Sequence, residues 1–146
     1  MRFAYADPPY IGQAKKHYGK EATYAGEVDH AQLLVSLSAF HGWALSASSP
    51  SLRVVLPLCP DDARVAAWVK PFCAFKPGVN PAYAWEPVIY RTPRKRDREE
   101  ETVRDWTRVN GERIAYGRPE YSDWVASNIT LRRGLSGAKP EAFCFW

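Results

Sequence analysis

The chain reads as one α/β domain, a parallel sheet with flanking helices, and three observations predict it. Short apolar runs of strand character alternate with helically spaced apolar residues through the first 70 positions. A content of 46% apolar and 25% charged residues over 146 positions is that of an ordinary globular domain with room for a real core. The first apolar run, Phe3-Ala4-Tyr5, leads into Ala6 and the rigid acidic-Pro-Pro-aromatic stretch Asp7-Pro8-Pro9-Tyr10.

In chain order, residues 2–6 are apolar enough for a buried strand, and 11–28, rich in Gly and Lys, read as a loop carrying Lys15, Lys16, His17 and Lys20. Asp29 followed by Gln32 resembles a capping box. Leu33, Leu34, Leu37 and Phe40 then recur at helical spacing, with Gly42 near the expected stop, so this amphipathic helix should lay its stripe on a sheet. Residues 43–47 read as a short strand, and Ser48-Ser49-Pro50-Ser51 opens a short helix through Leu58. Residues 64–70 suit a strand by length and Val/Trp content. Pro71, Pro77, Gly78 and Pro81 rule out a regular element across 71–82. Residues 83–90 read as a strand interrupted by Pro87, which suits an edge or hairpin position.

Beyond this strand, Arg91, Arg94, Lys95, Arg96 and Arg98 precede Glu99-Glu100-Glu101, a run that reads either as a solvated linker or as a phosphate-contacting surface. From 102 to 134 the pattern is too weak to assign an element, although Trp106, Tyr116, Tyr121 and Trp124 are natural anchors. Pro140 is placed to open a terminal helix bearing Phe143 and Phe145.

A net charge of +4 and a pI near 9.0 favour a polyanionic partner. The odd, scattered Cys59, Cys73 and Cys144 suggest buried thiols rather than a disulfide framework. His17, His30 and His41 lack metal-ligand spacing, so no metal is expected, and His30 is best taken as a first-turn helix residue. No run has the length of a membrane span and Met1-Arg2-Phe3 enters the first strand directly, so a cytoplasmic, membrane-free protein is expected.

Chemistry concentrates in Asp7-Pro8-Pro9-Tyr10. Two consecutive prolines have fixed φ and no N–H, so they hold an extended turn whose carbonyls are outward acceptors. With a carboxylate and an aromatic ring beside them, these acceptors complement a flat nucleobase amine with two N–H donors. The plainer alternative is a strand ending in a proline turn, with Tyr10 packed on the core.

The full Asp-Pro-Pro-Tyr after an apolar strand resembles motif IV of the S-adenosylmethionine-dependent amino methyltransferases that act on adenine N6. Gly137-Ala138-Lys139-Pro140-Glu141 resembles motif X of the same enzymes. The resemblance implies a Rossmann-like methyltransferase sheet with flanking helices, and residues 1–146 as a single partial catalytic domain. A charged loop or target-recognition insert would occupy about 91–134. It implies a flipped adenine stacked on Tyr10, with Asp7 and the Pro8 carbonyl accepting its amino hydrogens and Pro9 keeping the turn rigid. Asp7, Lys139 and Pro140 would line the S-adenosylmethionine side, and Lys15, Lys16, Arg94, Lys95 and Arg96 would meet DNA phosphates.

The sequence departs from that family in one place, since no Gly-x-Gly occurs anywhere to form the cofactor turn. The expectation is therefore a chain truncated before the glycine-rich loop, inactive and without useful cofactor affinity alone. Its apolar faces would be partly uncovered and prone to aggregation or homodimerisation. Two other functions fit the same residues: a catalytically inactive nucleic-acid-binding remnant, or an amino methyltransferase acting on RNA or protein, RNA being less favoured than DNA.

Overall fold

A computed structural model of the chain describes residues 2–72, 77–93, 108–109, 112–113, 122–129 and 139–145. Its centre is a five-stranded mixed sheet built from β1 (Phe3–Ala6), β2 (Gly42–Ser46), β3 (Arg64–Val69), β4 (Trp85–Arg91) and β7 (Trp124–Ala126), in the order β1-β2-β4-β3-β7. Strands β5 (Arg108–Val109) and β6 (Glu112–Arg113) form a separate antiparallel pair. The helices are α1 (Ala14–Tyr18), α2 (His30–Leu37), α3 (Leu52–Val55) and α4 (Glu141–Phe145), with 3-10 turns at Ser49–Ser51 and Leu56–Leu58 bracketing α3.

The sheet is mixed where a parallel one was expected. β1 pairs with β2 and β3 with β7 in parallel, while β4 runs antiparallel to both of its neighbours. The reversal follows from the pairing: β3 and β4 form an antiparallel hairpin, and no crossover helix lies among the described residues between them. β4 is thus a hairpin strand, but it is internal rather than an edge.

Pro87 is tolerated inside β4 because of where its missing N–H falls. In an antiparallel ladder a residue's N–H and C=O face the same neighbour, and the Pro87 carbonyl accepts from Ala47 N at 3.0 Å. Ala47 lies one residue past the end of β2, so the lost donor removes no bond from within the ladder.

Strand alternation divides the core into two layers. Trp43, Leu45 and Ile89 pack with Leu34 and Leu37 of α2 and Val55 of α3, and Ala4 and Ala6 join them from β1. On the other face Trp68 and Val88 pack against Phe143 of α4, with Ala44 and Val125 alongside. The Leu33, Leu34 and Leu37 part of the expected stripe therefore lies on the sheet, while Phe40 falls three residues beyond the helix and is not in this core cluster.

Asp29 caps α2 from extended backbone, its Oδ1 accepting from Ala31 N at 2.9 Å and Gln32 N at 3.1 Å. The helix stops at Leu37, a turn before Gly42. His41 N already donates to Arg2 O at 3.0 Å, so pairing beside β1 takes the chain out of helix. Gly42 instead opens β2, where a Cβ would lie 2.9 Å from the Arg91 carbonyl oxygen and 3.0 Å from the Phe3 ring.

Three further expectations change. The 11–28 segment contains α1, which buries Ala14 and leaves Lys15 and Lys16 exposed. Cys59 is half-buried and Cys144 exposed, so Cys144 is no core thiol; Cys73 lies outside the described residues. Arg91 is buried with its Nε 2.8 and 3.0 Å from the two Asp62 carboxylate oxygens, a structural pair in place of a phosphate contact. No helix among the described residues is long and apolar enough to cross a membrane.

Candidate functional site

β1, β2, β3 and β7 all point the same way, so their carboxyl ends and the start of the reversed β4 share one rim of the sheet. Ligands of open α/β sheets characteristically bind outside this rim. Asp7 directly follows β1, Ser46 closes β2, Lys70 follows β3 and Glu86 is the second residue of β4. Trp68 and Glu86 are register partners on the face that α4 covers. Pro140 opens α4 by accepting from Phe143 N and Cys144 N, which sets Lys139 over the same rim.

These side chains meet in one network. Lys139 Nζ lies 3.2 Å from Asp7 Oδ1 and 3.3 Å from Glu86 Oε2. Glu86 also ion-pairs with Lys70 and accepts a 2.5 Å hydrogen bond from the Tyr10 hydroxyl. The Lys139 ammonium is enclosed by aromatic faces, at 5.2 Å from the centroid of Trp68, 5.9 Å from Phe143 and 6.0 Å from Tyr10. Tyr5 stands beside the group, its hydroxyl 2.8 Å from Ser46 Oγ and its ring edge-on to Phe143.

The two carboxylates differ in setting. Burial raises the Asp7 carboxyl above its ordinary range, and Lys139 only partly offsets that shift. Burial would raise Glu86 too, but the Lys139 charge and hydrogen bonds from Lys70 and Tyr10 outweigh it and hold the carboxyl low. Burial also drives the Tyr10 hydroxyl upward, with the Glu86 charge adding to the effect, so Tyr10 stays a neutral donor. The chemistry available is that of a partly open carboxylate acceptor beside a fixed aromatic ring and a caged positive charge. Asp7 is the more open of the two acids, 29% exposed at its side chain against 18% for Glu86.

The expected site residues are thus partly assembled. Asp7, Tyr10 and Lys139 come together across nearly the whole chain, with Pro8 and Pro9 half-buried between the first two and Pro140 opening the helix behind the third. Lys15 and Lys16 sit on α1, outside the network, and Arg94, Lys95 and Arg96 lie outside the described residues. Glu86, Lys70 and Trp68 were not singled out from sequence. The available signal was Glu86 within an apolar strand, one residue before a proline.

A separate groove of about 350 Å³ is lined by Ser49, Asn80, Tyr83 and Trp85 among others. None of its lining residues carries a charge, and Trp85 alternates to the face opposite Glu86, so the groove is distinct from the carboxylate network. No protein-family model matches the chain, and no curated protein matches it.

Proposed function

We propose that the chain carries the amine-accepting site of an S-adenosylmethionine-dependent methyltransferase acting on the exocyclic amine of adenine in DNA. The observation that carries the reading is the meeting of its two family-like segments. Asp7 of Asp-Pro-Pro-Tyr and Lys139 of Lys-Pro are 3.2 Å apart on the carboxyl rim of the sheet, where a ligand would lie.

In this reading Asp7 Oδ1 and the Pro8 carbonyl accept the two amino hydrogens while the Tyr10 ring supports the base. Glu86 fixes the direction of that ring through the Tyr10 hydroxyl. Holding the amine in line for attack lowers the barrier by positioning and electrostatics, with no covalent intermediate on the protein. As the N–C bond forms, the methyl–sulfur bond of the cofactor would break with its electron pair left on sulfur, and the proton the amine gives up would pass to Asp7.

The donor set suits one part of the cofactor. That part is the positive sulfonium, which Asp7, the more open carboxylate with a share in only one ammonium, would attract beside the Tyr10, Trp68 and Phe143 rings that already surround Lys139. Asp7, Lys139 and Pro140 are the described residues that would line that end, and the cofactor supplies the methyl group. Rossmann-like architecture and DNA as the partner belong to the same proposal, the latter supported by the net charge of +4.

The test is expression in a host lacking adenine methylation, with the chain alone and together with the sequence that follows it in its genome. Mass spectrometry of digested DNA should then find N6-methyladenine that Asp7→Ala abolishes, a loss on the order of a hundred-fold or more in rate for a removed electrostatic contact. An Asp7→Ala protein that methylates normally would overturn the assignment of Asp7. DNA binding without methyl transfer in either arrangement would return the chain to a non-catalytic binding role.

A further inference from the structure

The charges at the rim balance in number but not in distribution. Asp7 and Glu86 face Lys70 and Lys139, yet Lys70 pairs with Glu86, and Lys139 Nζ stands between the two acids at 3.2 and 3.3 Å. Glu86 therefore has two ammonium groups and the Tyr10 hydroxyl, whereas Asp7 has a share in one ammonium. The same ammonium touches the oxygen that would accept an amine hydrogen. Were Lys139 to pair with Asp7 alone, that acceptor would be closed to a substrate.

We propose that Glu86 is a positioning residue that competes with Asp7 for the Lys139 ammonium and thereby keeps the Asp7 oxygen available to an incoming amine. Its consequence for methyl transfer rests on the functional reading above; the shared ammonium does not. The rings of Trp68, Phe143 and Tyr10 hold the ammonium between the two acids, so a small movement toward Glu86 frees Asp7 without expelling Lys139 from its cage. Fixing Tyr10 and drawing Lys139 away would both be the work of one carboxylate.

The experiment is a pH titration of the Asp7 and Glu86 side-chain carboxyls by ¹³C NMR on the 146-residue chain. The other groups facing Asp7 are Lys139, Glu86 and Tyr5, with Tyr10, Lys70 and the Cys144 thiol beyond them. Glu86→Gln keeps an oxygen for the Tyr10 hydroxyl and removes the competing charge. The Asp7 midpoint should fall, because Lys139 transfers to it and a like charge is lost. An unmoved Asp7 midpoint in that variant overturns the proposal.

Lys139→Met provides a second measurement if Glu86→Gln does not fold. It should raise both the Asp7 and Glu86 midpoints, and a rise in only one shows that the ammonium is not shared. In methyl-transfer assays Glu86→Gln should lose about tenfold or more. Midpoints that move as described in a protein with no methyl transfer would retain the shared ammonium and remove the functional reading.

Discussion

At Tyr10 two demands fall on one side chain. In the proposed function the ring face is offered to a base, while the hydroxyl is tied to a half-buried carboxylate at 2.5 Å. Stacking uses only the face, so Tyr10→Phe should remain active, with a loss of about tenfold for one charge-assisted hydrogen bond of roughly 1.5 kcal/mol. Tyr10→Ala should abolish transfer while leaving a cooperative thermal melt. If Tyr10 served only as core packing, activity would instead fall in step with the melting temperature, and single-turnover rates run beside thermal melts separate the two outcomes. From sequence the aromatic ring was legible because Asp-Pro-Pro-Tyr is local. Its anchor was not, because Glu86 lies 76 residues away and only strand pairing brings it near.

Among the elements, α2 is the best specified. Asp29 satisfies two of the first N–H groups and Leu34 and Leu37 supply the buried stripe. Asp29→Ala should lower unfolding stability by about 1 kcal/mol, measured by urea denaturation, with the slope of the transition unchanged. An unchanged midpoint would mean that sheet contacts alone hold the helix. The end of α2 was misread because Gly42 has two meanings in sequence, a helix stop or a site of close approach. Its neighbours Arg91 and Phe3 select the second. The hairpin half of the Pro87 reading holds and the edge half fails for a related reason: the rule against proline in inner strands assumes that the missing N–H faces a partner within the ladder, whereas here it faces the residue just beyond β2.

For the whole molecule, the expected polyanion contact is a matter of summed charge. If Arg94, Lys95 and Arg96 meet phosphates, their joint replacement by Ala should weaken binding to all DNA sequences alike. Each lost contact should reduce the slope of log affinity against log salt by about one, as measured by fluorescence anisotropy across a salt series. Slopes that stay the same would leave the segment a solvated linker. Arg91 is no part of that surface, since its guanidinium is buried against Asp62.

The order of amino acids alone was enough for the α/β class, for most elements of the first ninety residues, and for the end of the first strand at the Asp7-Pro8-Pro9-Tyr10 stretch. These are local properties, carried by spacing, proline geometry and a cap three residues long. Strand direction, the inner place of β4 and the addition of β7 beside β3 depended on which distant backbones pair. The partners of Asp7 and Tyr10 depended on it too. Lys70 and Glu86 are ordinary surface residues by type, and they join Asp7 and Lys139 in one network because five strands bring their ends to one rim while α4 closes over it. Burial there works against ionisation of both acids; it prevails at Asp7 and is outweighed at Glu86, a difference set by how many ammonium groups and hydrogen bonds each can reach.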